Sequence, residues 1–564
     1  MRRILLILLA LNLYWLLHAQ ATYEYISNKN IYNLLDELAS EKIIDLNPAI
    51  KPYTRSYIYK KLLEAGSMLE DSIPRHVSAS TRLIKELNHY LDYYRFGNEF
   101  NALPGKDKLN MFRNSRHSST SLNHFGFFYS DSVFNFSLRP VIGLEYYSNS
   151  SGTYKHTYGG LEAFASITKY LSFYASLRDN TVDPVLSRPA YFSTEPAGNY
   201  KGSLTGAADF SEMRGGIMLS WDFLEVGFVK DHINWGTNYN GAIIQSGLTP
   251  SIPMLKLHIR PAKWFDFNYY HAWLVSDVID SSLTYLFPNG SRRDTYKNKF
   301  LAANMFTITP VKGLNVSIGN SIIYSDQSVN LAYLIPVFFY KSVDHTLTST
   351  KINNQNSQMF FDISSRLIRH THLFFSMYVD EFSTTRISDP DRQNLYSYKL
   401  GGRISNWPFS NVSFTGEYFR SMPGTYEHYG PTLTYETNSY NMGYWLRYNS
   451  DEKYFALEWR PVQRLFTRYS YDHARHYNDN RYDIKSPVDE LPVLEDKTWS
   501  NVTHSIQASY EVFTGCYVSA EYRMSNIQGY EADGQTADYY LNTFTPEFFR
   551  GKRNTFMFRV ALGF

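Results

Sequence analysis

The densest gathering of groups able to do chemistry runs from Val229 to Leu257, VKDHINWGTNYNGAIIQSGLTPSIPMLKL. It opens as a strand, crosses an Asn- and Gly-rich loop, and returns through Pro250 and Pro253 into a second strand. Aromatic faces such as those of Trp235 and Tyr239 stack on sugar rings, while Asp231, His232, Asn234 and Asn238 carry donors and acceptors that pair with ring hydroxyls. These side chains are the candidate sugar contacts. Gly236, Gly241, Ser246, Pro250 and Pro253 would shape the loop around them, with Gly247 adding another turn that lets backbone approach closely. The same composition also suits a loop that occludes a protein interior and packs on its own aromatics.

Enzyme signatures are missing from the sequence. It contains no Walker A loop, no GxGxxG after a strand, no HExxH and no GxSxG, so neither a catalytic residue nor a cofactor is expected. Asp472, His473 and His476 invite a metal or acid/base reading, but histidines three apart in a strand point to opposite faces, which favours a structural role. Asp489, Glu490, Glu495 and Asp496 lack EF-hand spacing and read as a solvated face. The single Cys excludes an intramolecular disulfide and a Cys-cluster metal site. With 55 Lys+Arg against 53 Asp+Glu, the chain lacks the basic excess of a dedicated nucleic-acid binder.

The elements that must position the loop fall into three stretches. Residues 1–21 have the form of a secretory signal peptide: Arg2 and Arg3, an apolar run from Ile4 to Leu17, then Ala19-Gln20-Ala21. Residues 22–105 read as a helical region. Asn30 can cap a first helix through Ile31, Leu34, Leu35 and Leu38; Pro52 and Thr54 precede a second through Ile58, Leu62, Leu63 and Ala65; after Pro74 a third runs through Leu83, Ile84, Leu87, Tyr90 and Leu91.

Over residues 106–564 the period is two. In Asn554–Phe564, Phe556, Phe558, Val560, Leu562 and Phe564 share one face, opposite Thr555, Met557, Arg559, Ala561 and Gly563. The same split recurs in Val133–Tyr146, Leu224–Asp231, Leu373–Val379, Phe455–Trp459 and Val518–Met524. A soluble sandwich would bury such apolar faces in a core. Three features favour a transmembrane barrel instead. Strands run about ten residues, enough to cross about 25 Å of hydrocarbon at a tilt. Tyr146-Tyr147, Tyr269-Tyr270, Tyr469 and Tyr471 crowd strand ends like interfacial girdles. The chain also ends on Phe564, similar to the C-terminal signal read by the insertion machinery of outer-membrane barrels.

A mean hydropathy of −0.37 and the lack of a long apolar run after residue 21 argue against membrane-spanning helices. Short turns near Asp131, Tyr170, Asp222-Phe223, Pro261–Lys263, Thr309–Gly313, His370, Pro461 and Gly515 alternate with long polar stretches at 182–210, 232–251, 278–295, 326–354, 382–393, 477–500 and 527–552. Such a chain fits about 18 to 22 antiparallel strands, the short turns periplasmic and the long loops outside.

The Val229–Leu257 tract resembles the characteristic segment of the Wzi-type capsule assembly proteins, with Trp235-Gly236, Gly241, Ile243-Ile244 before Ser246, then Pro250 and Pro253. The front end is similar to the helical region preceding the barrel in that family: Ile31–Leu38, Ile43-Ile44, Pro52-Tyr53 and Ile58–Ala65. The chain departs from the family tract after the tryptophan, with Gly236-Thr237-Asn238 where Gly-Pro-Gly is frequent. The resemblance implies an antiparallel outer-membrane β-barrel of about eighteen strands over a small periplasmic helical bundle. It further implies a non-enzymatic, lectin-like protein that attaches exported capsular or surface polysaccharide to the cell. The rival reading is an outer-membrane porin or transport channel for small solutes or saccharides. In that reading Arg139, Glu145, Glu225, Glu521 and Arg523 line the pore.

Overall fold

The computed structural model describes residues 22–70, 80–104, 116–121, 124–200, 207–347, 354–389, 392–478 and 492–563. The signal-peptide expectation for 1–21, Pro74, Asp489, Glu490 and the terminal Phe564 lie outside them.

Eighteen strands form one closed antiparallel barrel. They are β1 (Phe134–Asn149), β2 (Gly152–Ile167), β3 (Leu171–Asp183), β4 (Ala208–Ser220), β5 (Leu224–Asp231), β6 (Ile252–Ala262), β7 (Phe265–Leu274), β8 (Lys299–Val311) and β9 (Leu314–Ser325). The circuit continues through β10 (Gln355–Ser365), β11 (Thr371–Glu381), β12 (Leu395–Ser405), β13 (Val412–Ser421), β14 (Ser450–Trp459), β15 (Leu465–His476), β16 (Trp499–Phe513), β17 (Cys516–Gly529) and β18 (Gly551–Leu562). Each strand pairs with its sequence neighbours, and β18 closes on β1 from Phe556↔Ser148 to Leu562↔Ile142. Beyond the end of β18, a short hairpin of Ser118–Ser121 and Gly126–Ser130 takes over the edge of β1.

The alternation expected from sequence is the alternation observed. Ile142, Leu144, Phe228, Leu373, Phe455, Trp459, Tyr522 and Phe556 point outward and are exposed. Their neighbours point into the lumen, where paired polar groups stand beside a buried apolar cluster that includes Met218, Val229, Met254, Met305 and Ile323. Of the expected girdle tyrosines, Tyr146, Tyr269, Tyr469 and Tyr471 stand on the outward face, and a further aromatic ring lies at the short-turn end. It comes from the turns themselves, where Tyr170, Trp221, Phe223, Trp264, Trp407 and Phe409 are exposed, whereas Tyr147 and Tyr270 turn inward and are buried. The pleat explains the difference, since adjacent residues of a strand cannot both face out. The sequence reading also missed the turn at 406–411, the tight connection at 150–151 and the long β13–β14 loop at 422–449.

Three helices precede the barrel: α1 (Lys29–Ser40), α2 (Arg55–Glu70) and α3 (Thr81–Arg95). The cap position of α1 is Asn28, which bonds to Glu24 through its side chain at 3.0 Å, so Asn30 lies inside the first turn. Thr54 accepts from Tyr57 N at 3.3 Å and Ser80 from Leu83 N at 3.2 Å, which fixes the starts of α2 and α3. Ile31, Leu34, Leu35, Leu38, Ile58, Leu62, Leu83 and Leu87 meet in one core; Ile84 and Leu63 are exposed.

The bundle sits in the short-turn mouth of the barrel. His370 N donates to Ser40 O at 2.8 Å, Ser80 Oγ to Asn411 Oδ1 at 3.0 Å, and Tyr90 Oη to Glu511 at 3.2 Å.

Candidate functional site

The Val229–Leu257 tract does not form an outward loop. After β5 the chain folds back into the lumen and runs down to meet the helical bundle. Asn234–Trp235 pairs antiparallel with Ile50–Lys51, and Gly236 N donates to Ala49 O at 2.8 Å. This is a two-stranded seam in the middle of the barrel, joining loop to plug.

Each candidate sugar contact has a protein partner there. Asp231 accepts from Tyr174 Oη at 2.7 Å and from its neighbour His232 N at 2.8 Å, and His232 lies 3.3 Å from Glu212. The Trp235 ring is 1% exposed and stands edge-on to Tyr270, with centroids 4.9 Å apart. Asn234 donates to Ser246 O at 3.0 Å, and Asn238 to Asn234 Oδ1 at 3.1 Å and Gly236 O at 2.7 Å. Tyr239 Oη donates to Asp36 at 2.9 Å and stands 2.5 Å from His372 Nδ1. Burial, with Asp36 beside it, pushes this phenol well above its ordinary range, so it remains a donor.

The structure therefore gathers these residues, but around one another, and Trp235 presents no face on which a sugar could stack. Gly236 and Gly247 hold φ of 98° and 73°, the left-handed region where glycine carries no Cβ penalty. Pro253 is already in β6, opposite Lys230.

The wall of β10–β14 grips the loop. Asp362 accepts from Thr237 N and Oγ1, both at 2.8 Å. Glu417 accepts from Tyr239 N at 2.6 Å, while Lys399 bridges Asn240 O at 2.8 Å and Glu417 at 2.7 Å. The β13–β14 loop adds a second inward fold, with Tyr426 Oη donating to Ile243 O at 2.8 Å and Tyr435 Oη to Ile244 O at 3.0 Å. Sequence reasoning missed this loop, although its run of tyrosines (Tyr426, Tyr429, Tyr435, Tyr440, Tyr444) was visible.

Below the loop, α1 presents Asp36 and Glu37 to the barrel, and Glu41 follows at its C-terminal cap. Arg366 pairs with Asp36, and Arg403 lies 3.7 Å from it while pairing with Glu458. Arg82 pairs with Glu37, and Asn406 donates to Glu37 at 2.8 Å. Arg369 and His370 hold Glu41 at 3.1 and 2.9 Å.

The opposite wall is wetter. Lumen-facing Arg178, Glu145, Arg559, Arg523, Thr503, Gln507 and Arg468 keep partial solvent exposure, and Lys29 at the start of α1 is exposed. The pore-lining candidates Arg139, Glu145, Glu225, Glu521 and Arg523 all face the lumen, where Glu225 meets His258 at 3.0 Å and Glu521 meets Arg523 at 2.9 Å. Asp472 faces inward beside Glu452, His476 is buried against Thr498 at 2.9 Å, and His473 lies on the other face of β15. Among the described residues no cluster of three or more His, Cys, Asp or Glu has the arrangement of a metal site.

At the long-loop end a lid forms where Phe192 stacks on Phe544 at 4.3 Å and meets Trp499 at 5.2 Å. Also at the long-loop end, the β7–β8 loop projects as a hairpin, Tyr285–Leu286 pairing with Arg292–Arg293. Tyr285, Phe287 and Tyr296 are exposed among Arg292, Arg293 and Lys297, and Arg293 Nη1 donates to Tyr285 Oη at 3.0 Å.

A solved structure of Wzi, a carbohydrate-binding outer-membrane β-barrel involved in group 1 capsule assembly in Escherichia coli, aligns with a TM-score of 0.55. The alignment covers 96% of this chain and 100% of that one, at 9% identity. This chain has the Wzi fold. The Wzi-like region includes the plug as well as the barrel, because coverage of this extent takes in the N-terminal helices.

Pseudomonas aeruginosa OccD3 aligns over 76% of the chain and 90% of its own length, at 11% identity and a TM-score of 0.42. Pseudomonas aeruginosa OprD aligns over 76% and 92%, at 9% identity and 0.41. No family model matches the sequence, and no curated protein matches it significantly.

Proposed function

We propose that the protein is a non-enzymatic outer-membrane barrel that binds and tethers a capsular or other surface polysaccharide, with its helical bundle in the periplasm. The observation that carries this reading is the filled lumen. A helical bundle closes one mouth, two inward loops cross the middle, and an aromatic cluster packs at the other end. Work is thereby left to the surface at the long-loop end. The Wzi fold supports the same assignment, since that protein binds carbohydrate.

The outward apolar band meets outer-membrane lipid, and the insertion machinery reads the C-terminal strand. The sugar contact moves from the Trp235 loop to the β7–β8 hairpin, whose exposed rings interleave with guanidinium groups. Rings stack on sugar faces, and guanidinium groups bond hydroxyls or the carboxylates of acidic sugars.

The test is polysaccharide retention on cells producing Tyr285→Ala/Phe287→Ala/Arg293→Ala. Retention should fall while the amount of folded barrel is unchanged. Unaltered retention would exclude the hairpin as the contact. If cells lacking the protein altogether retained polysaccharide normally, tethering itself would be refuted. The half-exposed wall from β15 through β18 to β3 favours a second reading, a narrow solute path. Steady open-channel current from the native protein in planar bilayers would select it.

A further inference from the structure

The outer wall of β7–β9 carries polar side chains beneath a covering loop. At outward positions stand His271, Asn304 and Asn320, about half-way along their strands in the case of the two asparagines. An amide or imidazole facing hydrocarbon costs several kcal/mol if unpaired, on the order of 2–7 for a neutral group. None of the three is bare. The β9–β10 loop does not project from the rim; it descends over the outside of the barrel and covers them.

Asn304 Nδ2 donates to Pro336 O at 2.8 Å and to Phe338 O at 2.9 Å. Asn320 Nδ2 donates to Asn304 Oδ1 at 2.8 Å, and its own Oδ1 accepts from Tyr340 N at 3.0 Å. Tyr269 Oη donates to Tyr333 O at 2.9 Å, and His271 Nε2 lies 2.7 Å from Tyr324 Oη. Tyr333 and Tyr340 are buried with Phe300, Ile322 and Tyr324, so a small hydrophobic core lies outside the barrel wall.

The strap's outer face is apolar. From Gln327 to Tyr340 there is no charged residue. Leu331 is 75% exposed and Val337 59%, with Ile335, Phe338 and Phe339 exposed beside them. Polar side chains resume where the strap turns into the helix α4 (Tyr340–Leu347), with Lys341, Ser342, His345 and Thr346 exposed. Below the strap its surface continues into Ile318 and Ile308 of the exposed wall. Patches of this kind are unfavourable in water and ordinary in lipid.

We infer that the 327–340 strap lies in the bilayer, its outer side chains against the acyl chains of the outer leaflet, with α4 rising from the level of Asn320 toward the head groups. The wall asparagines hold it there by bonding its carbonyls, which would otherwise be unpaired in hydrocarbon. This inference rests on the membrane-spanning reading of the barrel.

The test uses the full chain in a Cys516→Ser background, refolded into phosphatidylcholine vesicles. Single cysteines at Val337, Leu331, Ile318 and Asn289 carry an environment-sensitive fluorophore. Ile318 reports the bare wall and Asn289 the aqueous hairpin tip. Quenching by acyl-chain spin labels at Val337 and Leu331 should match that at Ile318 and exceed that at Asn289 several-fold. Iodide quenching at Val337 and Leu331 with lipid quenching at Ile318 would overturn the strap placement while leaving the barrel in the membrane. Shielding of both strap sites from both quenchers would also overturn it, by showing a protein cover such as a second copy. Loss of lipid quenching at Ile318 itself would refute the spanning barrel, and the strap placement with it.

Discussion

The phenol of Tyr239 donates to the carboxylate of Asp36 at 2.9 Å, and through this bond the β5–β6 loop grips the first helix of the plug. Tyr239 stands 203 positions away in sequence, on a segment that enters the lumen from the far end. Asp36 in turn lies beside Arg366 and Arg403 of the wall. Loop, helix and barrel therefore share one buried charge cluster.

Asp36→Asn should loosen the plug. It leaves Arg366 facing a neutral amide and Arg403 with Glu458 alone. Breaking a buried pair in this way costs about 3–5 kcal/mol. The expected result is intermittent conductance in planar bilayers where the native protein is quiet, with Tyr239→Phe giving a weaker version of the same behaviour. A uniformly quiet D36N channel would mean that the apolar seam holds the plug unaided.

Acid should release the bundle. Burial opposes ionisation of Asp36, but Arg366, His372 and Arg403 outweigh it and hold the carboxyl below its usual range. Burial likewise opposes ionisation of Glu37, and Arg82 and Arg460 outweigh it there. Groups whose folded pKa is depressed contribute stability above their unfolded pKa and lose it as pH falls through the folded value. Docking should thus be constant from neutral pH down to about 4 and weaken below that. Protease sensitivity of α1–α3 in reconstituted protein, followed from pH 7 downward, reads this directly. Release already near pH 6 would contradict it.

Much of this architecture is legible in the sequence because its period-two signal is two-sided. Phe556, Phe558 and Val560 must face one environment and Thr555, Met557 and Arg559 another, and the side-chain period of a strand allows no other arrangement. The direction of a long loop carries no such signal. Val229–Leu257 advertises Trp235, Tyr239 and their amide neighbours, but the same groups bond equally well to a sugar or to Asp36, Asp362 and Glu417 contributed by distant strands. Nor does the sequence show that Asn304 and Asn320 face outward beneath a strap, since a polar residue in an alternating strand normally marks the lumen.

Gly247→Ala should destabilise the loop without touching any charge. The position has φ of 73°, and a Cβ there would lie 2.7 Å from Ile26 Cδ1 and 3.0 Å from Ile233 O. Ile26 can rotate, but the carbonyl cannot. A cost of about 1–3 kcal/mol is expected for a non-glycine residue held in this region. It should appear as a lower thermal midpoint with unchanged strand content by circular dichroism. An unchanged midpoint would show that the seam shifts freely.

Trp235→Ala separates structure from sugar recognition. The ring is buried against Tyr270, its backbone pairs with Ile50 and Gln245, and a cavity left by so large a side chain costs about 3–5 kcal/mol. The variant should show a lower thermal midpoint and plug leakage. At temperatures where the lid stays folded, polysaccharide should bind as tightly as to the native protein, because the ring is remote from the hairpin surface that Tyr285 and Phe287 expose. Tyr285→Ala/Phe287→Ala should do the reverse, lowering binding with the midpoint unchanged. If Trp235→Ala weakened binding at full stability, the interior loop rather than the hairpin would be the sugar contact.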